Sequence, residues 1–388
     1  MKVLWLAPHP VPDIPNGHPA PWITSLAKRL SVKGVAITII STSKILDQQE
    51  RTYDLGSYKL IVLKAPSTSV DVLTLFTRRI GIVKKYLDNM PEKFDVVHVH
   101  GTEYQFGSSL PAKLKKSTPV VISIQGLIFQ YKKYINDLFT NMRLIWEISA
   151  YYEKREIKRN TNFLCRTHWD KGSVLELNPQ AKIYEVWVLM REDFYETEIT
   201  AFGDDILFSG GSYSIKGLEH CLKVFNKLLA GNKTRLHVIG NCSREYVNEV
   251  KHRHQLDQLN DSNVILHGMV GAKEILNIYK QCFCLYHPSV IDNSPNSICE
   301  AQLAGIPVIA ANVGGVSSLI ENGVTGILLN SNKPDEDFST LSKYISNKAS
   351  LKPIAKNARE VALKRHNPDS IINNILDVYA NIKVNEAN

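Results

Sequence analysis

Two series of short strand-like runs, separated by amphipathic helical stretches, most constrain what this chain can become. The first reads Val3 to Ala7, Ala36 to Ser41, Leu60 to Leu63, Asp95 to His100, Val120 to Ile124 and Phe163 to Arg166, with helical patterns near Pro21 to Lys33 and Leu73 to Asn89. The second reads Ile206 to Ser209, Arg235 to Ile239, Val264 to His267, Phe283 to His287, Pro307 to Ala311 and Gly326 to Leu329. Strands that alternate with helices pair in parallel, and a parallel sheet must be covered by helices on both faces. The pattern therefore predicts an α/β chain of two doubly wound domains in tandem, joined near Leu189 to Asp204. A length of 388 residues with 44% hydrophobic content supplies material for two cores. Ligands of such sheets bind outside the carboxyl ends of the strands, so the loops there carry the functional reading.

Composition narrows the class. The start of the chain does not read as a secretory signal, because VLWLAP is a short strand ending in proline, and no apolar run approaches the length of a membrane span. Cys165, Cys221, Cys242, Cys282, Cys284 and Cys299 lack C-x-x-C or Cys/His ligand spacing and read as reduced, buried thiols of a cytoplasmic protein. Of the net charge of +8, the part carried by residues 1–200 is +7. Its clusters are Arg78-Arg79, Lys84-Lys85, Lys113 with Lys115-Lys116, Lys132-Lys133 and Lys154-Arg155 with Lys158-Arg159. Two readings stay open: solvated helix faces, or peripheral attraction to an anionic membrane, where each basic residue contributes about 1 kcal/mol. No nucleic-acid motif accompanies the charge, so nucleic acid is not an expected partner. The aromatic and basic segment Phe129 to Trp146 fits an interfacial amphipathic helix and a core helix equally.

The segment His287 to Asn330 carries most of the chemistry. Ser294 reads as the N-cap of a short helix, Pro295 as its first residue, and Gly305 as its stop. The free N–H groups and positive dipole end of that helix favour a phosphate, while Asn296 and Glu300, four apart, share one face. Asp292 and Glu300 thus bracket the helix start, an arrangement suited to gripping a sugar nucleotide. With the Gly314-Gly315 turn that follows, this stretch resembles the C-terminal domain of the retaining family-4 glycosyltransferases, whose mark is Glu, seven residues, Glu; here it reads Asp, seven residues, Glu.

The resemblance implies the GT-B fold, two Rossmann-like domains facing across a cleft. Residues 1–195 would form the acceptor domain and residues 196–368 the nucleotide-sugar domain, with a last helix of about residues 369–388 packing back on the first. It implies a metal-independent retaining transferase with no cofactor. A nucleotide sugar, UDP-linked in preference to GDP-linked, would donate to a glycan or lipid-linked saccharide in surface polysaccharide or glycolipid assembly. Lys216, in the glycine-rich SGGSYSIKGLEH after the first strand of the second domain, matches the family's diphosphate-binding lysine. Asp292 would hold the donor sugar and Glu300 the ribose, making Asp292, Lys216 and Glu300 the catalytic set. Gly17, Gly210, Gly211, Pro295, Asn296 and Ser297 would line the donor phosphates, and Met269 and Val270 the base, by backbone contacts.

Two departures stand out. The family usually has an arginine where this chain has Gly211, and a histidine where it has Gln125, which cannot titrate near neutrality. Arg166 is the candidate to restore the missing phosphate charge. Acceptor candidates are His18, His100, Glu103 and Gln125. His98 and His100 alternate along one strand without further ligands, so no metal is expected there. A non-catalytic sugar-nucleotide-binding relative remains an alternative on the strength of Gly211 and Asp292. A same-fold nucleotide-sugar epimerase is a further one, against which the Asp, seven residues, Glu pattern argues.

Overall fold

The computed structural model describes residues 1–13, 20–135, 141–330 and 333–385. Contacts divide the chain into one unit of Met1–Leu189 with Asn367–Asn388 and a second of Met190–His366. That division and the boundary read from sequence at 195/196 differ chiefly by the short helix Glu192–Glu196, which goes with the second unit. Among the described residues no helix is long and apolar enough to cross a membrane.

The first unit is built on eight strands: β1 (Lys2–Leu6), β2 (Ala36–Ser43), β3 (Glu50–Asp54), β4 (Lys59–Lys64), β5 (Val96–His100), β6 (Val120–Ser123), β7 (Asn162–Cys165) and β8 (Lys182–Glu185). Their order is β3-β4-β2-β1-β5-β6-β7-β8. All pairs are parallel except β3 with β4, which corrects the expectation of a wholly parallel sheet. β3 and β8 escaped the sequence reading because edge strands need no continuous apolar run, and ERTYD and KIYE have none. In β1, Val3 and Trp5 face one core and Leu4 and Leu6 the other, as the two-residue period of a strand dictates.

The first of those cores is closed by helix Pro21–Val32 and by the returning helix Pro368–Asn385. Ile371, Ile372, Ile375, Val378, Tyr379 and Ile382 of the latter are all buried, each contributing about 1.5–3 kcal/mol before entropy is counted. Its Tyr379 hydroxyl meets Trp5 Nε1 at 3.1 Å and His98 Nδ1 at 2.7 Å, and His98 Nε2 meets Ser123 Oγ at 2.6 Å. His98 is therefore a satisfied core histidine. On the opposite face, the helix expected near Leu73 to Asn89 runs Thr77–Asp88, and a separate short helix, Thr68–Leu73, precedes it. Leu75 and Phe76 between them adopt φ of 48° and 61°. This left-handed backbone costs about 1–3 kcal/mol per residue, and the buried Asp71–Arg79 ion pair spans it. The segment read as one helix over Phe129 to Trp146 is divided, into Ile128–Tyr131, the tighter turn Lys132–Tyr134 and Asn141–Arg159, with 136–140 outside the described residues.

Helix Asn141–Arg159 carries two buried carboxyls that hold loops at the strand ends. Glu153 Oε1 accepts from Thr102 Oγ1 (2.6 Å) and Oε2 from Phe129 N–H (2.8 Å), while Glu156 Oε1 accepts from Ser108 N–H (2.9 Å). Burial pushes Glu153 up to about 8 and Glu156 up to about 7, against the lowering effect of those hydrogen bonds.

The second unit has β9 (Asp205–Ser209), β10 (Leu236–Ile239), β11 (Val264–Gly268), β12 (Cys282–His287), β13 (Val308–Ala311) and β14 (Ile327–Leu329). The order is β11-β10-β9-β12-β13-β14, parallel throughout. The chain winds outward in both directions from β9 and β12, leaving a crevice at their carboxyl ends. The corresponding reversal in the first unit lies between β1 and β5.

A pH dependence follows for the first unit. With folded-state values above the ordinary 4.5, the native state binds more protons than the unfolded chain between roughly pH 4.5 and 8, so stability falls as pH rises through that window. Glu153→Gln keeps an oxygen for Phe129 N–H and an amide for the Thr102 hydroxyl. Urea unfolding at about pH 6 and about pH 8 should show the variant losing at least ~1 kcal/mol less than the parent across that interval. Equal losses would show that Glu153 does not take up the proton.

Candidate active site

The crevice of the second unit gathers the residues that the sequence singles out. Lys216 ends the tight turn Ser214–Lys216 after β9, and the loop after β12 is tied to that turn by Val290 N–H on the Ile215 carbonyl at 2.9 Å. That tie brings Lys216 Nζ to 2.6 Å from Asp292 Oδ2. His287, the last residue of β12, approaches the same oxygen at 3.2 Å through Nε2, and Asn293 N–H donates to Oδ1 at 3.1 Å. Burial alone would raise the Asp292 carboxyl, but Lys216 and His287 together hold it well below the usual carboxylate range. Burial also lowers His287 below its ordinary value, so a neutral imidazole donating through Nε2 fits the contact.

The backbone of Asp292 is fixed as well. Its carbonyl accepts from Gly315 N–H at 2.9 Å, and a Cβ on Gly314 would lie 2.0 Å from the same oxygen, which accounts for glycine at a φ of +54°. The following helix runs Asn296–Ala304 with Pro295 as its cap and no side-chain cap. It starts one residue later than Ser294 capping would place it, and the Ser294 hydroxyl instead lies 3.9 Å from Cys299 Sγ. Asn296 and Ser297 supply the first N–H groups, which have no acceptor inside the helix.

Glu300, one turn on, is buried and gripped by Arg191 in a two-pronged pair: Nε to Oε1 at 2.8 Å and Nη2 to Oε2 at 2.7 Å. Burial raises the Glu300 carboxyl and Arg191 opposes that rise. An ionised carboxylate has about four acceptor sites, so Glu300 retains capacity for two hydroxyls while Arg191 holds it. Arg191 was missed from sequence: it stands alone in the stretch read as a junction, with nothing local to mark it. Ser289 was missed too; its hydroxyl is fully buried in the loop after β12 and, among the described residues, has no partner.

The glycine-rich turn differs from expectation. The N–H groups of Gly210 and Gly211 both donate to the Ile239 carbonyl at 3.0 Å, and Ser212 N–H donates to the Asn241 carbonyl at 2.9 Å, so these groups serve the turn itself. Gly211 has φ of +57° and a Cβ there would meet the Asn241 carbonyl oxygen at 2.4 Å. An arginine does not fit this backbone. Met269 and Val270 follow β11 on the same edge of the sheet, with the Met269 side chain exposed.

The candidates in the first unit have different fates. His100 is buried, stacked on His98 at 3.8 Å and tilted on Trp5 at 4.4 Å; burial and then His98 hold it neutral. It is a core residue, not an open ligand contact, because strand β5 is covered on both faces. Glu103 Oε1 accepts from Gly126 N–H at 2.7 Å, while Oε2 is buried without a partner among the described residues. Arg166 Nη2 donates to the carbonyls of Ile124 (3.0 Å) and Gln125 (2.8 Å) and to Gln125 Oε1 (3.1 Å). Arg166 therefore organises the loop after β6, and that commitment replaces its expected role as a free phosphate cation. Gly17 and His18 lie outside the described residues. At the β1/β5 reversal is a cavity of about 390 Å³ whose lining includes His9, Trp22, Ser41, Lys44 and Tyr104, none of which the sequence reading had selected. Lys44 Nζ is 2.7 Å from Thr68 Oγ1, and burial followed by the nearby Arg79 lowers its basicity.

The comparisons agree with this architecture. Residues 203–347 match the family described as glycosyl transferases group 1, and residues 3–167 match the family described as glycosyl transferase 4-like. An uncharacterized glycosyltransferase of Methanocaldococcus jannaschii is 22% identical over 91% of this chain and 92% of its own. The UDP-Gal:alpha-D-GlcNAc-diphosphoundecaprenol alpha-1,3-galactosyltransferase of Escherichia coli is 23% identical over 76% of this chain and 77% of its own. The sucrose-phosphate synthase structure from Thermosynechococcus elongatus superposes with a TM-score of 0.78 at 13% identity, covering 98% of both chains. Two doubly wound units of this kind are the architecture of the GT-B fold. The chain belongs to the GT-B glycosyltransferases of the family-4 type.

Restoring the family arginine tests the reading of the glycine turn. Gly211→Arg should destabilise the protein by about 1–3 kcal/mol, read as a lowered thermal midpoint, because the added Cβ meets the Asn241 backbone. A variant as stable as the parent would show that the turn rearranges freely.

Proposed function

We propose that this glycosyltransferase moves a sugar from a nucleoside diphosphate donor, UDP-linked in preference to GDP-linked, to a hydroxyl of a glycan or lipid-linked saccharide, with retained anomeric configuration. The observation that carries the reading is the Lys216–Asp292 ion pair at the β9/β12 crevice, beside a helix start and the Glu300–Arg191 pair. The UDP-sugar named for the Escherichia coli relative supports the choice of donor, and its diphosphoundecaprenol-linked acceptor supports a lipid-linked saccharide in surface polysaccharide assembly.

The chemistry follows from charge. Departure of the nucleoside diphosphate leaves negative charge on a phosphate while the sugar becomes oxocarbenium-like. Lys216 and the N–H groups at Asn296 and Ser297 stabilise the first, and the Asp292 carboxylate favours the second. Without donor, Lys216 and Asp292 neutralise each other; donor binding exchanges that contact for Lys216–phosphate and Asp292–sugar hydroxyl contacts. His287 then keeps Asp292 in place. Glu300, oriented by Arg191, accepts from the ribose hydroxyls. Attack comes from the acceptor on the face the leaving group departs, with the phosphate taking the proton. No metal is needed for this scheme, so EDTA should leave the rate unchanged.

We assign the acceptor to the cavity at the β1/β5 reversal, whose lining includes the aromatic side chains of Trp22 and Tyr104 and the cation of Lys44. A non-catalytic relative is the second reading, favoured by Gly211, which leaves the donor diphosphate one cation short of the family's usual set.

Initial rates with UDP- and GDP-sugars decide between them. Lys216→Ala and Glu300→Ala should each lower turnover or donor affinity at least ~10-fold, the size of one charge-assisted hydrogen bond. Lys44→Met should raise the acceptor KM while leaving donor affinity unchanged. Donor binding without transfer to any saccharide would sink the catalytic reading, and parental kinetics in both donor-site variants would sink the site.

A further inference from the structure

Three of the basic clusters scattered through the first half of the sequence converge in space. Lys84 of helix Thr77–Asp88, Lys115 of helix Ala112–Ser117, and Arg155 and Arg159 of helix Asn141–Arg159 line one cavity of about 480 Å³. It lies within the first unit and shares no lining residue with the cavity at the β1/β5 reversal. Gly107, Ser108 and Ala112 are small, so the cations line a recess. Among the described residues none of the four makes a salt bridge.

This gathering is unfavourable as it stands. Arg155 and Arg159 are four apart on one helix, a like-charge spacing that destabilises. Lys115, half-buried, has its basicity lowered by burial and by both arginines, with only Glu156 acting the other way. Glu156 is the one acid in the lining. Its Oε1 is taken by Ser108 N–H, and its Oε2 is buried without a hydrogen-bond partner, directly under Gly107, where a Cβ would lie 2.6 Å away. Four cations without a salt bridge, against a single acid with one bare carboxylate oxygen, suit a polyanion that also brings a donor, such as a phosphate carrying a P–OH or a neighbouring hydroxyl. Two guanidinium forks can each grip a phosphoryl group through paired N–H donors, and the recess has room for one or two such groups.

We propose that this recess between Lys84, Lys115, Arg155 and Arg159 is a phosphate-binding site, distinct from the donor crevice and the acceptor cavity. The phosphate belongs either to a soluble phosphorylated compound or to the monoester headgroup of an anionic lipid. Both sources present the same chemistry to the recess.

The test uses the full chain. Inorganic pyrophosphate is titrated calorimetrically into the parent, Lys216→Ala, Arg155→Met/Arg159→Met and Lys115→Met, with thermal midpoints verifying that each variant is folded. The expected result is saturable binding that survives Lys216→Ala and weakens at least ~10-fold in the recess variants. In parallel, sedimentation compares phosphatidylcholine vesicles carrying phosphatidic acid with vesicles carrying phosphatidylserine at matched charge. Preference for phosphatidic acid, lost in the recess variants, assigns a lipid headgroup; pyrophosphate binding without that preference assigns a soluble phosphate. Pyrophosphate binding that vanishes with Lys216→Ala, or is untouched by the recess variants, overturns the proposal. So does the absence of pyrophosphate binding together with vesicle association that follows bulk charge alone.

Discussion

Buried carboxylates at the carboxyl edges of the two sheets are the constraint on which the rest of this structure depends. Parallel strands covered on both faces leave their ends to irregular loops, whose N–H groups have no ladder to join. In the first unit those groups are collected by acids: Glu103 takes Gly126, Glu153 takes Phe129, Glu156 takes Ser108, and Asp170 takes Arg166 and Thr167. In the second, Asp292 takes Asn293 and adds Lys216 and His287. One solution serves both ends, but with different electrical outcomes. Glu153 and Glu156 lack an adjoining cation strong enough to offset burial and are pushed toward the neutral form, whereas Asp292 has Lys216 and stays ionised. The loop-anchoring carboxyls and the carboxylate of the candidate site thus differ by their neighbours, not by their depth.

The position of the candidate donor site follows from topology before any side chain is considered. In each unit the chain leaves the sheet centre in opposite directions, so the two central loops part and open a crevice. The second unit fills that place with Lys216 and Asp292, the first with His9, Trp22, Lys44 and Tyr104. Isolated polar side chains on or just after the strands are consumed internally. His98 is spent on Tyr379 and Ser123, and Arg166 on the loop after β6.

What the sequence made legible was whatever depends on a repeating period or a local spacing. Buried parallel strands such as VLWLA and CFCLYH declare themselves by unbroken apolar runs, and Asp292 and Glu300 are separated by a spacing that a helix start preserves. Edge strand ERTYD was illegible because half of it faces water. The break at Leu75 and Phe76 was hidden because its support, Asp71 with Arg79, reads as ordinary helix-face charge. Arg191 was invisible for a different reason: its partner lies 109 residues away, and only the folded chain brings the guanidinium fork to Glu300. Gly211 shows the converse. A missing arginine looked like a lost charge, and the backbone shows a turn with no space for any side chain.

The helix Pro368–Asn385 has a consequence for how the protein comes into being. Tyr379 reaches Trp5 and His98 at the middle of the first sheet, so one face of that sheet, already covered in part by helix Pro21–Val32, stays incomplete until a segment encoded beyond the whole second unit has emerged from the ribosome. At ~5–20 residues per second, that delay is on the order of 10 to 35 s, long compared with the folding of most single domains. During it, Trp5, Ile23, Leu30 and their neighbours lack their final cover. The first unit therefore completes its core only after its neighbour has been translated.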